Sequence, residues 1–348
     1  MIIESVTSII IMSIGRVDYC QFLFATHGNY TMPYFADHKP GISHDSVNRL
    51  LRRDNLTGQI IWEHVKDDVI QSPRGCLIFD DSVLDKNHSH RIERVRRQYS
   101  GNVHGLIKGI GMVHCLYVNP NTGQYWIVDY RIWDPDGDGK TKLDPVQDML
   151  VSAATNKALS FSHVLFDSWY AAKELIVFVE SLGKLYYCPL KSNRLVDDSN
   201  GEQSYRHADS LQWDSSEIAH GKIIKIKKFP KDHRVKLFRV EVSTNRTDGV
   251  VTNDLAQDSK QGAQDACALR WKIEQCHREL KQLTGVEKCQ CRNATIQRNH
   301  IACAVLVWIR LTAIARKIGT NIYQLKRRLL SDYLRNELRC PSISMDFA

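Results

Sequence analysis

Apolar and polar positions alternate along this chain in blocks that predict a mixed sheet flanked by helices. Two short apolar runs stand out, Cys76-Leu-Ile-Phe and Ser162-His-Val-Leu-Phe, and each runs directly into an aspartate. The first meets Asp80-Asp81 and the second Asp167. Runs this short and this apolar read as central strands buried on both faces. Leu106–Val118 and Gln124–Trp133 are rich in β-branched and aromatic residues, with the turn Asn119-Pro-Asn-Thr-Gly between them. That combination predicts an antiparallel hairpin. Lys184–Leu190 reads as another strand, and 144–158 and 170–182 read as helices. The segment 86–98, thick with His, Lys and Arg, reads as a loop or an exposed helix start.

The flanking regions have a different texture. Residues 1–72 read as mainly helical. Ser43 is a good N-cap for a helix that puts Val47, Leu50 and Leu51 on one face and Arg49, Arg52 and Arg53 on the other. This is either a recognition helix for DNA or a plain amphipathic helix, and the pattern does not separate the two. Trp62 and Val65 suggest a second helix beside it. The first sixteen residues are apolar but carry Glu4 and lack a basic lead, so they fit a buried helix or strand better than a signal peptide. From 195 to 247 basic and β-branched residues alternate, as in KIIKIKK at 222–228 and VKLFRVEV at 235–242. This predicts an antiparallel β insertion with one wet, basic face. The expected organisation is therefore a helical region over 1–72 that is a candidate DNA-binding element, a core over 73–194 and 248–330, the insertion over 195–247, and a tail over 331–348.

Within the core, 262–283 reads as one helix with a working face. Arg270, Glu274, Arg278 and Lys281 recur at spacings of four, four and three, on one side of a helix that turns every ~3.6 residues. Ile273, Leu280 and Leu283 can face inward. Residues 298–330 form a further apolar helical region. The chain has 348 residues, 43% of them apolar, and a net charge of +8. That is enough for a sizeable core and compatible with a polyanionic partner. No stretch approaches the roughly 18 unbroken apolar residues of a membrane span. The ten cysteines are scattered, mostly in apolar runs, as suits reduced buried thiols in the cytosol. Cys289, Cys291, Cys276 and His277 lack the paired spacing of a zinc site. Asp134-Pro-Asp-Gly-Asp-Gly lacks the glutamate that would complete a calcium loop.

Two strands that meet aspartates and a late helix with a glutamate place three carboxylates where an α/β sheet exposes its site. Such carboxylates repel one another unless cations neutralise them. Hard oxygen ligands suit Mg2+ or Mn2+, and two such ions about 4 Å apart serve phosphodiester chemistry.

At this point the chain resembles a family of DDE transposases, the IS4-like group, and within it the IS701-type insertion-sequence enzymes. The stretches that carry the resemblance are LIFDDSVLDK at 77–86, RQYSG at 97–101, VLFDSWYA at 164–171, LKSNR at 190–194 and RWKIEQCHRELKQLTGVEKCQCR at 270–292. The resemblance implies a ribonuclease-H-like core with the β insertion between the second Asp and the Glu. It implies Asp80, Asp167 and Glu274 as catalytic residues that ligate two Mg2+ or Mn2+ ions, with Asp81 an alternative to Asp80. It implies Arg270, Arg278, Lys281, Lys191 and Arg194 as DNA contacts. The family's helix carries a Tyr seven residues before the Glu, where this chain has Cys267. Trp271, Trp169 and Tyr170 lie near the acids; packing in the core is favoured for them over stacking on an unpaired base. The expected activity is cleavage at the ends of a mobile element and joining of those ends to target DNA, by a homodimer in the bacterial cytoplasm, associated with the nucleoid and with no membrane. The rivals are a nuclease that never joins and a domesticated relative that only binds DNA.

Overall fold

The computed structural model describes residues 14–343 except 90, 102, 244 and 245. The element expected at the extreme N-terminus and the last five residues of the expected tail lie outside these. Four helices open the described chain: α1 (Arg16–Ala25), α2 (Met32–Asp37), α3 (His44–Arg53) and α4 (Gly58–Val65). Thr31, Ser43 and Thr57 cap the last three by accepting backbone amides of Tyr34, Ser46 and Gln59, which satisfies donors the helix cannot pair itself. On α3, Val47 and Leu51 are buried while Arg49, Arg52 and Arg53 stay exposed.

The core follows as β1 (Cys76–Asp85), β2 (Arg96–Ser100), β3 (Gly105–Val118), β4 (Tyr125–Trp133), the short α5 (Pro135–Asp138), α6 (Leu143–Ala154), β5 (His163–Phe166), α7 (Lys173–Ser181) and β6 (Leu185–Leu190). Next come β7 (Leu195–Asp197), β8 (Arg206–His207), α8 (Ser215–His220), β9 (Lys222–Ile226), β10 (Val235–Ser243) and β11 (Arg246–Thr252). The helices α9 (Lys260–Ala268), α10 (Trp271–Leu283), α11 (Ala294–Lys317), α12 (Ile322–Arg328) and α13 (Ser331–Arg339) complete it.

The strands form one continuous path, β2-β3-β1-β5-β6-β11-β10-β9-β7-β8, with β4 also paired to β3. β1 runs antiparallel to β3 and parallel to β5, and β5 runs parallel to β6. Three consecutive antiparallel strands followed by two parallel crossover strands, with helices on both faces, make a ribonuclease-H-like mixed α/β core. The β3–β4 turn closes as its sequence requires: Asn119 and Gln124 pair through their backbones, and Gly123 adopts a positive φ of 68°.

α11 is the central helix. It packs on α1, α3, α4 and α10, and Trp308, Ile301 and Val305 are among its buried residues. Its length and apolar composition would suit a membrane span, but 67% of that window is buried inside the protein. Asn299 fixes it to the N-terminal helices by donating to the carbonyls of Leu51 and Asp54 and accepting from the amide of Leu56.

Several sequence expectations need correction. β1 does not end at Asp80 but continues to Asp85, because Ser82, Val83 and Leu84 go on pairing with Met112, Gly111 and Ile110 of β3. The segment 86–98 is neither a loop throughout nor a helix start. It enters β2, which lies along the first residues of β3, and Lys86 is fully buried. The helix expected over 262–283 is two helices. At the junction Arg270, Lys272 and Ile273 donate to carbonyls only three residues back, the tighter 3₁₀ pattern. The β insertion joins the core sheet through β11, which pairs with core strand β6. It also contains α8, announced by a capping box from Asp214 to Glu217.

Candidate active site

Strand register decides which carboxylates can meet. Phe79 of β1 is level with Phe166 of β5 in the parallel pair. Asp80, within β1, and Asp167, just past the end of β5, are the next residues along, so they stand side by side, about 4.8 Å apart at the backbone. β5 stops there, which frees that edge of β1 and opens the space above it. After Asp167 the chain turns sharply, with the amide of Tyr170 bonded to the Asp167 carbonyl at 2.9 Å.

Successive strand residues point to opposite faces of a sheet, so Asp80 and Asp81 diverge. Asp80 is paired across the ladder with His114, and His114 meets His277 of α10 at 3.0 Å between ring nitrogens. Asp80 therefore faces the side covered by α10. Asp81 faces the other side, where Lys142 donates to its Oδ2 at 2.6 Å and Tyr170 hydroxyl to its Oδ1 at 3.1 Å. Burial and then the negative charges of Asp81 and Asp167 push the Asp80 carboxyl up to about 7, against the pull of Arg270.

α10 buries Ile273, Cys276, His277, Leu280 and Leu283 against the core. Glu274 stays partly exposed, and its Oε1 is held by the Arg270 guanidinium at 2.8 Å. Arg270 thus bridges the two acids: it ion-pairs with one and its charge is felt at the other. Among the described residues no three His, Cys, Asp or Glu side chains stand close enough to form a ready-made metal shell. The donor set itself fits a hard divalent cation, because its ligands are carboxylate oxygens and Asp80 stands desolvated among like charges that a cation would offset.

The remaining expected contacts divide. Arg278 is exposed, its guanidinium 5.5 Å from the Trp271 ring centroid. Lys191 is exposed at the end of β6, on the rim of a cavity of about 360 Å³ that also touches Ser168 beside Asp167. Arg194 is partly buried over the Phe229 ring. Lys281 is not the free cation the helical spacing suggested. Its ammonium donates to the Val83 carbonyl at 2.7 Å and pairs with Glu287 at 3.0 Å, so it ties α10 to β1. Cys267 lies on α9, beyond the helix break, in a different segment from Glu274.

The aromatic residues also divide. Tyr170 is fully buried, whereas Trp169 and Trp271 are 50% and 56% exposed, so neither tryptophan is the core residue that was favoured. The support beneath the site has no local mark in the sequence. Lys86 donates to the carbonyls of Glu287 and Cys289 at 2.7 and 2.8 Å, locking the far end of β1 to the loop after α10. In the sequence it stands directly after Asp85, with no local mark of its burial.

The structure is similar to that of the piggyBac transposase synaptic complex with hairpin DNA, with 10% identity, 94% of this chain and 72% of that chain covered, and a TM-score of 0.46. It is also similar to Ciona intestinalis endonuclease V in complex with a 24mer DNA containing an inosine followed by a ribo-adenosine. There the identity is 10%, 64% of this chain and 96% of that chain are covered, and the TM-score is 0.33. Neither likeness is strong enough to bear on activity. No curated protein sequence matches the chain. The family model for the transposase DDE domain, however, matches residues 71–309. That span takes in β1, β5 and α10 and reaches well past half of the chain, so the chain belongs to the transposase DDE domain family.

Proposed function

We propose that this protein is a DNA transposase that cuts at the ends of its own element and joins those ends to target DNA, with Asp80, Asp167 and Glu274 as its catalytic acids. The observation that carries this reading is the register of β1 and β5. It sets Asp80 beside Asp167 on the sheet face that α10 covers, and α10 bears Glu274. The three acids would hold two Mg2+ or Mn2+ ions. When bound, such ions stabilise the charge on the attacking and leaving oxygens of an in-line displacement.

The chain's own residues do the rest. Arg270 can exchange the Glu274 carboxylate for a DNA phosphate, which its planar fork suits equally well. The exchange frees Glu274 as an oxygen donor and brings the scissile strand to Asp80 and Asp167. Arg278 and Lys191 flank the site as exposed cations for neighbouring phosphates. In cleavage, a water oxygen bonds to phosphorus, the 3′ oxygen leaves and takes a proton, and the water's proton passes to solvent. In joining, that 3′ hydroxyl attacks a target phosphate and the target's own 3′ oxygen leaves. One phosphodiester bond breaks for each that forms, so no covalent protein intermediate or energy source is required.

The test is strand joining with a pre-cut element end, which bypasses hydrolysis. The wild-type protein should join it to target DNA in Mg2+ or Mn2+. A protein that cuts intact ends but never joins pre-cut ones is a nuclease, and one that binds ends and does neither is a binder. Either result overturns the proposal.

A further inference from the structure

We propose that the cavity between α4, β4 and α11 is a binding site for a small monocarboxylate with an apolar body, such as an aromatic or branched-chain acid. It stands apart from the phosphodiester site. Asp80 is level with His114 and His114 with Tyr130, whereas the cavity reaches β4 at Tyr125, five residues back and so roughly 17 Å along the strand. Its volume is about 140 Å³, close to the ~150 Å³ that accommodates benzene in an engineered apolar cavity.

The walls combine buried rings with donors that have nothing to bond. Tyr125, Trp126 and Trp308 are all buried. Glu279 of α10 pins two of them, accepting the Tyr125 hydroxyl at 3.1 Å and the Trp308 indole N–H at 3.0 Å. The Trp126 indole N–H is equally buried but has no partner among the described residues. Thr312 is in the same state. A helical threonine can return its hydroxyl to the carbonyl one turn back, as Thr284 does to Leu280 at 2.7 Å. The buried Thr312 hydroxyl bonds nothing among the described residues. Arg316, one turn further along α11, supplies charge. Its guanidinium lies 4.9 Å from the Trp126 ring centroid and donates to the Tyr125 carbonyl, but it forms no ion pair among the described residues. Burial lowers its pKa against the pull of Tyr125, Asp68 and Glu279, so a closer anion would stabilise its charge.

Buried polar groups are nearly always paired. An indole N–H, a hydroxyl and a guanidinium around one cavity are all met by an acceptor that carries negative charge. Two features limit its size and charge. Asp68 is exposed on the rim and disfavours a dianion such as phosphate, and the volume is too small for a nucleotide. A monoanion whose ring or branched chain meets the aromatic floor, and whose carboxylate meets Arg316, satisfies both limits.

The experiment titrates the full chain with benzoate at fixed ionic strength, followed by calorimetry and by the indole N–H resonances of isotope-labelled protein. Benzoate should bind with a Kd of about 1 mM or tighter and raise the melting temperature. It should also move the Trp126 indole signal, which Trp126→Phe identifies among the seven tryptophans. Benzamide, the neutral isostere, should bind at least ~10-fold more weakly, and phosphate should leave the Trp126 signal in place. Ala313→Phe fills the cavity and should abolish benzoate binding, in a protein whose own cooperative melt shows that it folds. Arg316→Met should bring benzoate and benzamide within about twofold of each other. The proposal is overturned if about 20 mM benzoate leaves the Trp126 signal unmoved, which would mean a cavity that holds water only. It is equally overturned if benzamide binds the wild type as tightly as benzoate, or if folded Ala313→Phe still binds benzoate. These readings use neither DNA nor a metal ion, so they stand apart from the strand-joining test.

Discussion

Asp129 offers a direct test of how the core holds its buried charges. It lies in β4, is 2% exposed, and receives the amide of Tyr130 at 2.8 Å and the Lys157 ammonium at 2.7 Å, with the Arg131 guanidinium also on its Oδ1. The side chain of Lys157 is 2% exposed and that of Arg131 is 37% exposed. Asp129→Asn keeps the shape, removes the charge and strands the Lys157 ammonium in the interior. Leaving one buried charge uncompensated costs about 3–5 kcal/mol. Lys157→Met removes the buried cation and leaves Asp129 with Arg131, so its cost should be only ~1–2 kcal/mol. The double variant strands nothing, and should fall short of the sum of the singles by at least ~1.5 kcal/mol. Urea unfolding with linear extrapolation measures all three, provided the slope with denaturant is unchanged. If Asp129→Asn lies within ~1 kcal/mol of wild type, or the two changes simply add, the reasoning about this buried pair is wrong.

Three further outcomes follow from a half-buried cation, an exposed one and a buried imidazole. Lys281→Met should lower stability by ~1–3 kcal/mol through the lost tie to Val83, yet leave the salt dependence of DNA binding unchanged. Lys191→Ala should instead flatten that dependence by about one phosphate contact, as read from affinity against salt concentration. His300 is held neutral between Tyr19 and the Gly285 carbonyl, and burial lowers its pKa to about 3. Below the ordinary histidine value the unfolded chain takes up a proton that the folded chain refuses, so acid destabilises the fold. Its share is ~1.4 kcal/mol per pH unit between about pH 6.5 and pH 3. His300→Gln should reduce the slope of stability against pH in that window, as measured by urea midpoints at fixed ionic strength.

The parts of the fold that were legible are those where local chemistry and tertiary environment agree. The apolar runs before Asp80 and Asp167, the Asn119–Gly123 turn and the Ser43 cap each state their own structure. The parts that were hidden depend on partners elsewhere in the chain. Asp80-Asp81-Ser82 looks like the end of a strand, because polarity interrupts the apolar run; only the continued ladder with β3 carries β1 on to Asp85. Lys86 and Lys281 look like surface cations, because nothing local reveals the backbone carbonyls of 83, 287 and 289 that receive them. The break between α9 and α10 has no Gly or Pro to announce it. The choice between Asp80 and Asp81 was open for a related reason. Alternation says that they diverge, but only the placement of α10 says which face each one meets.

Mn2+ binding, followed by its paramagnetic signal in parallel with cleavage of an element end, tests the central claim most directly. The variants to compare are Asp80→Asn and Asp81→Asn. If Asp80 is the first acid, its variant loses bound Mn2+ and cleavage together, by orders of magnitude in rate, while Asp81→Asn still binds the ion. An Asp81→Asn protein that loses the ion, beside an Asp80→Asn protein that keeps it and cuts at the normal rate, would contradict the account.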